Sequence, residues 1–162
     1  MEVWDLYDKN GCLTNKTHLR GQPIPNGFYH LVVHVWIVNS KGQLLISQRS
    51  KTRPTFPLMW ECVGGSVVKG ENSLQGALRE SFEEVGVTLK VENGKIVYNK
   101  VRKNDILDVW LFRYDGEVDL NNASTDEVCQ TKWLEKQEIF ELYKNQLLVP
   151  TLEYIFDLTL TD

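Results

Sequence analysis

The sequence predicts an α/β domain, in which the strands of a mixed sheet alternate with a few helices. The clearest strand signal is residues 29–38, which are almost continuously apolar and rich in β-branched side chains, as expected for a strand buried on both faces. The clearest helix signal is residues 72–86, where apolar residues recur with helical spacing. The chain has 162 residues, a length that fits one domain. We therefore expect residues 1–162 to form a single domain that begins with a hairpin and coil over residues 1–28.

Turn residues divide the first part of the chain into short strands. The sequence Asp8-Lys9-Asn10-Gly11 separates the two strands of a predicted hairpin, and residues 21–27, with two prolines, are expected to be coil. The sequence Asn39-Ser40-Lys41-Gly42 turns the long strand back into the next one. The strands expected before the helix are residues 3–7, 12–13, 29–38, 43–48 and 60–63.

The second part of the chain continues the alternation. The expected elements after the helix are strands at 96–101, 106–114 and 131–134 and helices at 136–144 and 150–157. A turn at Asp115-Gly116 ends the second of these strands. Pro150 is suited to the first position of the last helix, because its missing N–H would have no partner there anyway.

The central helix has recognisable ends and an apolar face. Asn72 and Gln75 have the spacing of a capping box, and Gly86 is a suitable residue to follow the last turn. One contiguous arc of the helix is apolar, and we expect it to face the core. Its members are Leu74, Ala77, Leu78, Phe82 and Val85.

Three glutamates, Glu80, Glu83 and Glu84, fall within roughly 100° on one face of this helix, at the edge of the apolar arc. Like charges at this spacing repel by about 0.2–0.5 kcal/mol per pair, and the last turn of a helix disfavours anions. A solvated acidic face is one interpretation. A bound divalent cation is the other, because Mg²⁺ prefers oxygen ligands and often lies between carboxylates and substrate phosphates. Arg79, four residues before Glu83, is placed to pair with it.

The spacing around these glutamates resembles the Nudix box, G-x5-E-x7-R-E-U-x-E-E-x-G-U, where U is a bulky aliphatic residue. Its fixed positions are matched over residues 65–87 by Gly65, Glu71, Arg79, Glu80, Glu83, Glu84 and Gly86, with Val87 as the final U. Ser81 replaces the first aliphatic residue, and we expect its hydroxyl to bond the carbonyl of Ala77 instead. The resemblance implies an α/β/α sandwich with a mixed sheet.

Other segments resemble type I isopentenyl diphosphate isomerases, which share the Nudix fold. The segments are Gln48-Arg49-Ser50, Arg53, Phe56-Pro57, residues 108–112 and residues 126–128. The isomerase cysteine falls at Gly64-Gly65 in this chain, so the group that would move a proton is absent there. Cys62 lies nearby, but a lone apolar thiol is typical of a core residue.

The resemblance implies a site with Mg²⁺ or Mn²⁺ as cofactor and a small-molecule diphosphate as substrate. The catalytic residues implied are Arg79, Glu80, Glu83 and Glu84. The metal ligands implied are Glu80, Glu83, Glu84, Gly64 and Glu127. The substrate contacts proposed are Arg53, Gly65, Glu71, His30 and His34. Glu71 would support the glycine loop or a second metal from outside the first ring of ligands.

Several of these residues have a second interpretation. His30 and His34 share one face of the long strand with Trp36, where they would contact the substrate or remain in the core. Arg53 would bind phosphate or be solvated. Glu127 would reach the metal or be an ordinary loop charge. Asp105 and Asp108 are weaker candidates for the site.

Composition narrows the functional classes. A net charge of −4 and the absence of a basic stripe argue against a nucleic-acid-binding protein. The three cysteines form no C-x-x-C pair, and no apolar run is long enough to span a membrane. The N-terminus lacks the pattern of a signal peptide, so we expect a cytoplasmic protein with no nucleic-acid or membrane partner. The sequence leaves open whether the chain forms a homodimer.

The leading functional hypothesis is metal-dependent hydrolysis of a diphosphate linkage, in a nucleoside diphosphate derivative or related pyrophosphate. One alternative is an isoprenoid diphosphate isomerase, against which the missing cysteine argues. The other is a non-catalytic nucleotide-binding sensor, against which the complete set of carboxylates argues. The sequence does not reveal the substrate or which glutamate is the base, because adjacent carboxylates titrate together.

Overall fold

The computed structural model of the chain describes residues 1–160, so the last two residues of the expected domain lie outside it. The described strands are β1 Val3–Tyr7, β2 Leu13–Leu19, β3 His30–Val38, β4 Leu44–Arg49, β5 Trp60–Glu61, β6 Val63–Ser66, β7 Gly94–Val101, β8 Asp105–Arg113 and β9 Val128–Leu134. The α-helices are α1 Ser73–Val85 and α2 Lys136–Lys144, and 3-10 helices lie at Val91–Asn93, Leu120–Asn122 and Pro150–Asp157.

The main sheet is mixed, as predicted, and β3 is its central strand. One edge of β3 pairs in parallel with β8 along its whole length, and β7 continues the sheet antiparallel to β8. The other edge of β3 is divided between two partners. Near its end, Val38 pairs with Leu44 of β4, whereas Val32 to Val35 pair antiparallel with β6. The sheet continues from β4 to β5 and β9, and β1 and β2 form a separate hairpin.

Helices cover both faces of the sheet, which confirms the predicted sandwich. On one face, Ala77 and Val85 of α1 pack against Val33 and Val35 of β3. On the opposite face, the core contains Trp36 of β3, residues of β4 and β8, and side chains from α2 and the last 3-10 helix. The alternation of β3 thus supplies both layers of the core, because successive side chains point to opposite faces.

Some predicted boundaries were wrong. β2 extends to Leu19 rather than ending at Leu13, and it pairs with β1 through main-chain bonds. The prediction missed this length because the side chains of the strand are mostly polar. The single strand expected at residues 60–63 is two strands, since β5 pairs with β4 and β6 with β3. β9 begins at Val128, and the last helix is a 3-10 helix with Pro150 in its first turn.

Both ends of α1 agree with the sequence. Asn72 Oδ1 accepts the Gln75 N–H at 2.8 Å, and Gln75 Oε1 accepts the Asn72 N–H at 2.9 Å. Gly86 has a left-handed φ of 70°, which suits glycine because it has no Cβ. Ser81 is fully buried, and its hydroxyl donates to the Ala77 carbonyl at 2.9 Å, as expected.

The orientation of α1 differs from the prediction. Phe82, expected in the core, is 45% exposed, whereas Glu80 and Glu84 are buried. The buried arc is therefore turned toward the glutamates and away from Phe82. The reason is the passage of β6 beside the helix: Gly65 lies against the carboxylate of Glu80 and leaves room for it to point inward.

Candidate metal and substrate site

Two consecutive glycines on β6 allow strand and helix to come close enough to form the site. A Cβ on Gly65 would collide with the carboxylate of Glu80. A Cβ on Gly64 would lie 2.7 Å from the carbonyl oxygen of Val33 on the paired strand. Larger residues at these positions would push the helix away from the sheet or displace the carboxylate.

Arg79 connects the loop before α1 to two carboxylates on the helix. Its Nη1 donates to Glu80 at 2.9 Å and to Glu83 at 3.0 Å. Its Nε and Nη2 donate to Glu71 at 2.7 and 3.1 Å, and Nη2 also donates to the Ser66 carbonyl at 3.0 Å. These bonds use all five N–H donors of the guanidinium. Arg79 therefore fixes the orientation of the carboxylates and has no donor left for a substrate.

Glu84 is the most deeply buried carboxylate of the site, with 4% of its surface exposed. It accepts a hydrogen bond from the Gly64 backbone, while its Oε2 is buried without a partner among the described residues. Burial, and then the neighbouring charges of Glu80 and Glu61, raise the pKa of Glu84 well above its usual value. Burial also raises the pKa of Glu80 to about 7, although Arg79 opposes the shift. Two buried acids thus lie together, and Arg79 is bonded to Glu80.

The donor set fits a divalent cation. Within residues 1–160 no three acidic, histidine or cysteine side chains converge as a finished ligand cluster, and Arg79 bridges Glu80 and Glu83. A buried carboxylate oxygen without a partner is nevertheless costly, and a hard cation would both neutralise and coordinate it. Carboxylate oxygens are the ligands that Mg²⁺ and Mn²⁺ prefer.

One cleft gathers most of the residues predicted for the site. The predicted residues that line it are Arg53, Gly64, Gly65, Arg79, Glu80, Glu83, Glu84 and Glu127. Arg53 and Glu127 form an ion pair across 2.9 Å within it. Ser50 connects the two loops that carry them, because its N–H donates to the Glu127 carbonyl at 2.9 Å. A predicted phosphate contact and a predicted metal ligand are therefore direct neighbours.

Three predicted substrate contacts do not line the cleft. Glu71 lies behind Arg79 and accepts the backbone N–H of Val68 at 3.2 Å, so it supports the loop. His34 is half-buried on the other side of the sheet, where its Nδ1 is 2.8 Å from the Tyr154 hydroxyl, and desolvation lowers its pKa to about 3. His30 stacks on Trp4 with ring centroids 4.0 Å apart. Neither histidine lines the cleft around α1, so a substrate contact of these two rings stays a prediction.

The cleft also contains residues that the sequence did not point to. They are Glu2, Arg20, Val32, Ser66 and Thr125. Thr125 donates from both its N–H and its hydroxyl to the carbonyl of Glu83, which joins the loop before β9 to the end of α1. Arg20 directly follows β2, at the open end of the hairpin. Its place could not be predicted, because the polar sequence after Leu13 gave no sign that the strand continues to Leu19.

The remaining candidates lie elsewhere. Cys62 is buried among residues of the opposite core layer, with Trp36 and Trp60, and burial raises its pKa. Asp108 is buried and accepts a hydrogen bond from Asn99 at 2.5 Å. Asp105 pairs with Arg102 at 2.5 Å. None of these three lines the cleft around α1.

Comparison with known proteins identifies the family. The model of the NUDIX domain matches residues 28–155, and the chain therefore belongs to the Nudix family. An uncharacterized Nudix hydrolase of Listeria innocua is 37% identical over 161 residues, which cover 98% of this chain and 95% of the relative. By this membership the chain is an enzyme of the Nudix hydrolase class, a pyrophosphohydrolase.

Two further comparisons concern the fold and the branch of the family. The crystal structure of DR0079 from Deinococcus radiodurans matches with a TM-score of 0.72 and 22% identity, over 91% of this chain and 92% of that one, which supports the fold. The isopentenyl-diphosphate Delta-isomerase of Dictyostelium discoideum is 29% identical over 158 residues, 81% of this chain and 64% of the isomerase. Within residues 1–160 no helix is both long and apolar enough to cross a bilayer.

Proposed function

We propose that the chain, acting as one domain over residues 1–162, hydrolyses the diphosphate linkage of a nucleoside diphosphate derivative or a related pyrophosphate with the help of Mg²⁺ or Mn²⁺. The observation that supports it most directly is the buried Glu84, whose Oε2 has no partner among the described residues and which lies in one cleft with Glu80 and Glu83. Binding of a cation would remove the cost of burying these carboxylates together.

The ligands we propose are the carboxylates of Glu80, Glu83 and Glu84, with Glu127 and the backbone of Gly64 at the edge of the same cleft. When bound there, the cation would neutralise charge on the phosphate oxygens and lower the pKa of an attacking water. Arg79 keeps Glu80 and Glu83 in place through its hydrogen bonds.

The chain's own groups complete the reaction. The water oxygen forms a bond to phosphorus, the bridging oxygen leaves with the bonding electron pair, and a glutamate of the cleft takes the proton of the water. Arg53 would bind a phosphate oxygen of the substrate. Its ion-pair partner Glu127 is a proposed metal ligand, so Arg53 lies next to the position proposed for the cation. The identity of the base among the three coupled glutamates is left open.

An isoprenoid diphosphate isomerase is the alternative suggested by similarity to the Dictyostelium protein. The position of Cys62 argues against it, because this thiol is buried with Trp36 and Trp60 and does not line the cleft. Gly64 and Gly65 offer no acid or base at the expected isomerase position. A nucleotide-binding sensor without catalysis would not need the complete set of carboxylates.

The experiment has two stages. A screen of nucleoside di- and triphosphates, dinucleotides, nucleotide sugars and isoprenoid diphosphates with Mg²⁺ identifies a substrate. Turnover of that substrate in ¹⁸O-labelled water is then followed by mass spectrometry, and we expect label in a phosphoryl product. Rearranged diphosphate without label would instead establish the isomerase, and binding without any turnover would establish the sensor.

A further inference from the structure

The N-terminal hairpin contributes two charged residues to the cleft. The Arg20 N–H donates to the Glu2 carbonyl at 3.0 Å, so both residues lie at the open end of the hairpin, beyond β1 and β2. Both line the same cleft as Glu80 and Glu84. The hairpin, which pairs outside the main sheet, therefore reaches the proposed reaction site.

The body of the domain holds the hairpin in position. The Trp4 ring stacks on His30 at 4.0 Å with an interplanar angle of 9°, and Leu6 is buried. Tyr7 and Tyr29 exchange two backbone hydrogen bonds of 2.8 and 3.0 Å. These contacts place the backbone of Arg20 at a fixed point of the cleft wall, so that only its side chain has to adjust to a ligand.

Arg20 has more unused hydrogen-bond donors than Arg79, the arginine that orients the carboxylates of the cleft. The side chain of Arg20 is 61% exposed, and its one partner among residues 1–160 is Glu2, at 3.3 Å from Nη1. An exposed pair of this kind contributes little energy. All five donors of Arg79, in contrast, are already used within the protein. The Arg20 guanidinium is therefore available to an anion.

We infer that Arg20 binds a phosphate oxygen of the substrate and that the hairpin is a wall of the substrate pocket. The inference rests on the proposed function, because it requires a diphosphate in the cleft. A guanidinium fork matches the geometry of phosphate and binds it through two parallel hydrogen bonds. Arg20 and Arg53 would then bind the phosphate oxygens that the glutamate-bound cation does not contact.

The test is calorimetric titration with imidodiphosphate, a diphosphate analogue that resists hydrolysis, in the presence of Mg²⁺. Arg20→Gln is compared with Arg20→Lys and with Lys9→Gln, which removes one positive charge from the turn at the other end of the same hairpin. We expect Arg20→Gln to weaken binding at least about tenfold, as loss of a charged hydrogen bond does. Arg20→Lys should retain part of the affinity, and Lys9→Gln should match the wild type. Thermal melting checks that the variants are folded.

Equal affinity of Arg20→Gln and Lys9→Gln would overturn the inference, and it would leave the proposed function intact if the wild type still places ¹⁸O in a phosphoryl product. If Arg20→Gln fails to fold, Arg20→Lys decides, because affinity equal to the wild type would show that the fork makes no phosphate contact. Failure of the wild type to bind imidodiphosphate with Mg²⁺ would overturn the inference, whereas the proposed function would still be decided by turnover in ¹⁸O-labelled water.

Discussion

Glu71 holds Arg79 through a two-point ion pair, with Arg79 Nε 2.7 Å from Oε1 and Nη2 3.1 Å from Oε2. The opposite side of the same guanidinium bonds Glu80 and Glu83. Glu71 thus influences the carboxylates of the cleft without lining it. Its effect should be one of orientation, transmitted through a planar group that cannot turn without losing several hydrogen bonds.

Glu71→Gln is expected to lower turnover about tenfold and the free energy of unfolding by about 1 kcal/mol, because Arg79 loses a charged partner. The measurements are steady-state kinetics and urea unfolding. Glu92→Gln, at an exposed acid in the 3-10 helix Val91–Asn93, is the matched control and should change neither quantity. Wild-type kinetics in Glu71→Gln would show that Arg79 needs no support from this side.

Glu83→Gln and Glu84→Gln should each reduce kcat at least about a hundredfold, within the range that a catalytic proton-transfer group contributes. Both substitutions keep the size of the side chain and remove its charge, so the fold should survive. Circular dichroism and thermal melting check this. If both variants unfold instead, the carboxylates have a structural role and the assignment is wrong.

Metal dependence gives an independent expectation. Stringent treatment with EDTA should abolish turnover, and Mg²⁺ or Mn²⁺ should restore it, because the cleft gathers the carboxylates without enough positive charge to balance them. Mg²⁺ should also raise the melting temperature of the wild type, since a ligand that binds only the folded state stabilises it. Full activity in the chelated protein would contradict the mechanism.

The stability of the metal-free protein should depend on pH through Glu84. Burial raises the pKa of Glu84 in the folded state, so the folded protein retains a proton that the unfolded chain releases above about pH 4.5. Stability from this group is complete below that pH and is lost as the pH rises. Urea unfolding in EDTA should therefore find Glu84→Gln more stable than the wild type at about pH 8, with a smaller difference between the two proteins at about pH 5. An identical pH dependence in both proteins would mean that Glu84 carries no such penalty.

Gly65→Ala tests the close approach of strand and helix. The added methyl group would meet the carboxylate of Glu80, which must then move out of the cleft. We expect turnover to fall at least about tenfold and the Mg²⁺-induced rise in melting temperature to shrink. The melting temperature without metal should change less, because the displaced group is a carboxylate that is costly to bury. An unchanged response to Mg²⁺ would show that Glu80 has room to stay.

The sequence predicted the local parts of the site better than the distant ones. The caps at Asn72 and Gly86 and the hydroxyl bond of Ser81 depend on neighbours within one or two turns, and the structure has all three. The contact of His34 depends on Tyr154, which lies 120 positions along the chain. The inward turn of Glu80 depends on β6, where Gly65 leaves space that helical spacing alone does not reveal.

Arg20 was out of reach for a related reason. β2, the strand that ends just before Arg20, is mostly polar and exposed and has no apolar face of its own, so its length is set by main-chain pairing with β1. Hydrophobic periodicity gives no signal in such a strand. The contact between the hairpin and the cleft depends on Trp4 and His30, which the sequence places in separate elements.

Because the edge of β3 is divided, the proposed cation ligands and the proposed substrate contacts lie in different stretches of the chain. Because β4 leaves β3 after the pairing of Val38 with Leu44, β6 occupies the remaining edge and leads without interruption to α1. The groups proposed to handle the cation therefore come mainly from one continuous segment, residues 63–86. The groups proposed to hold the phosphates, Arg20 and Arg53, come from the end of the hairpin and from a loop, both outside that segment. Mutation in those outer segments could redirect the enzyme to another diphosphate over evolutionary time, while the segment that performs the chemistry is inherited unchanged.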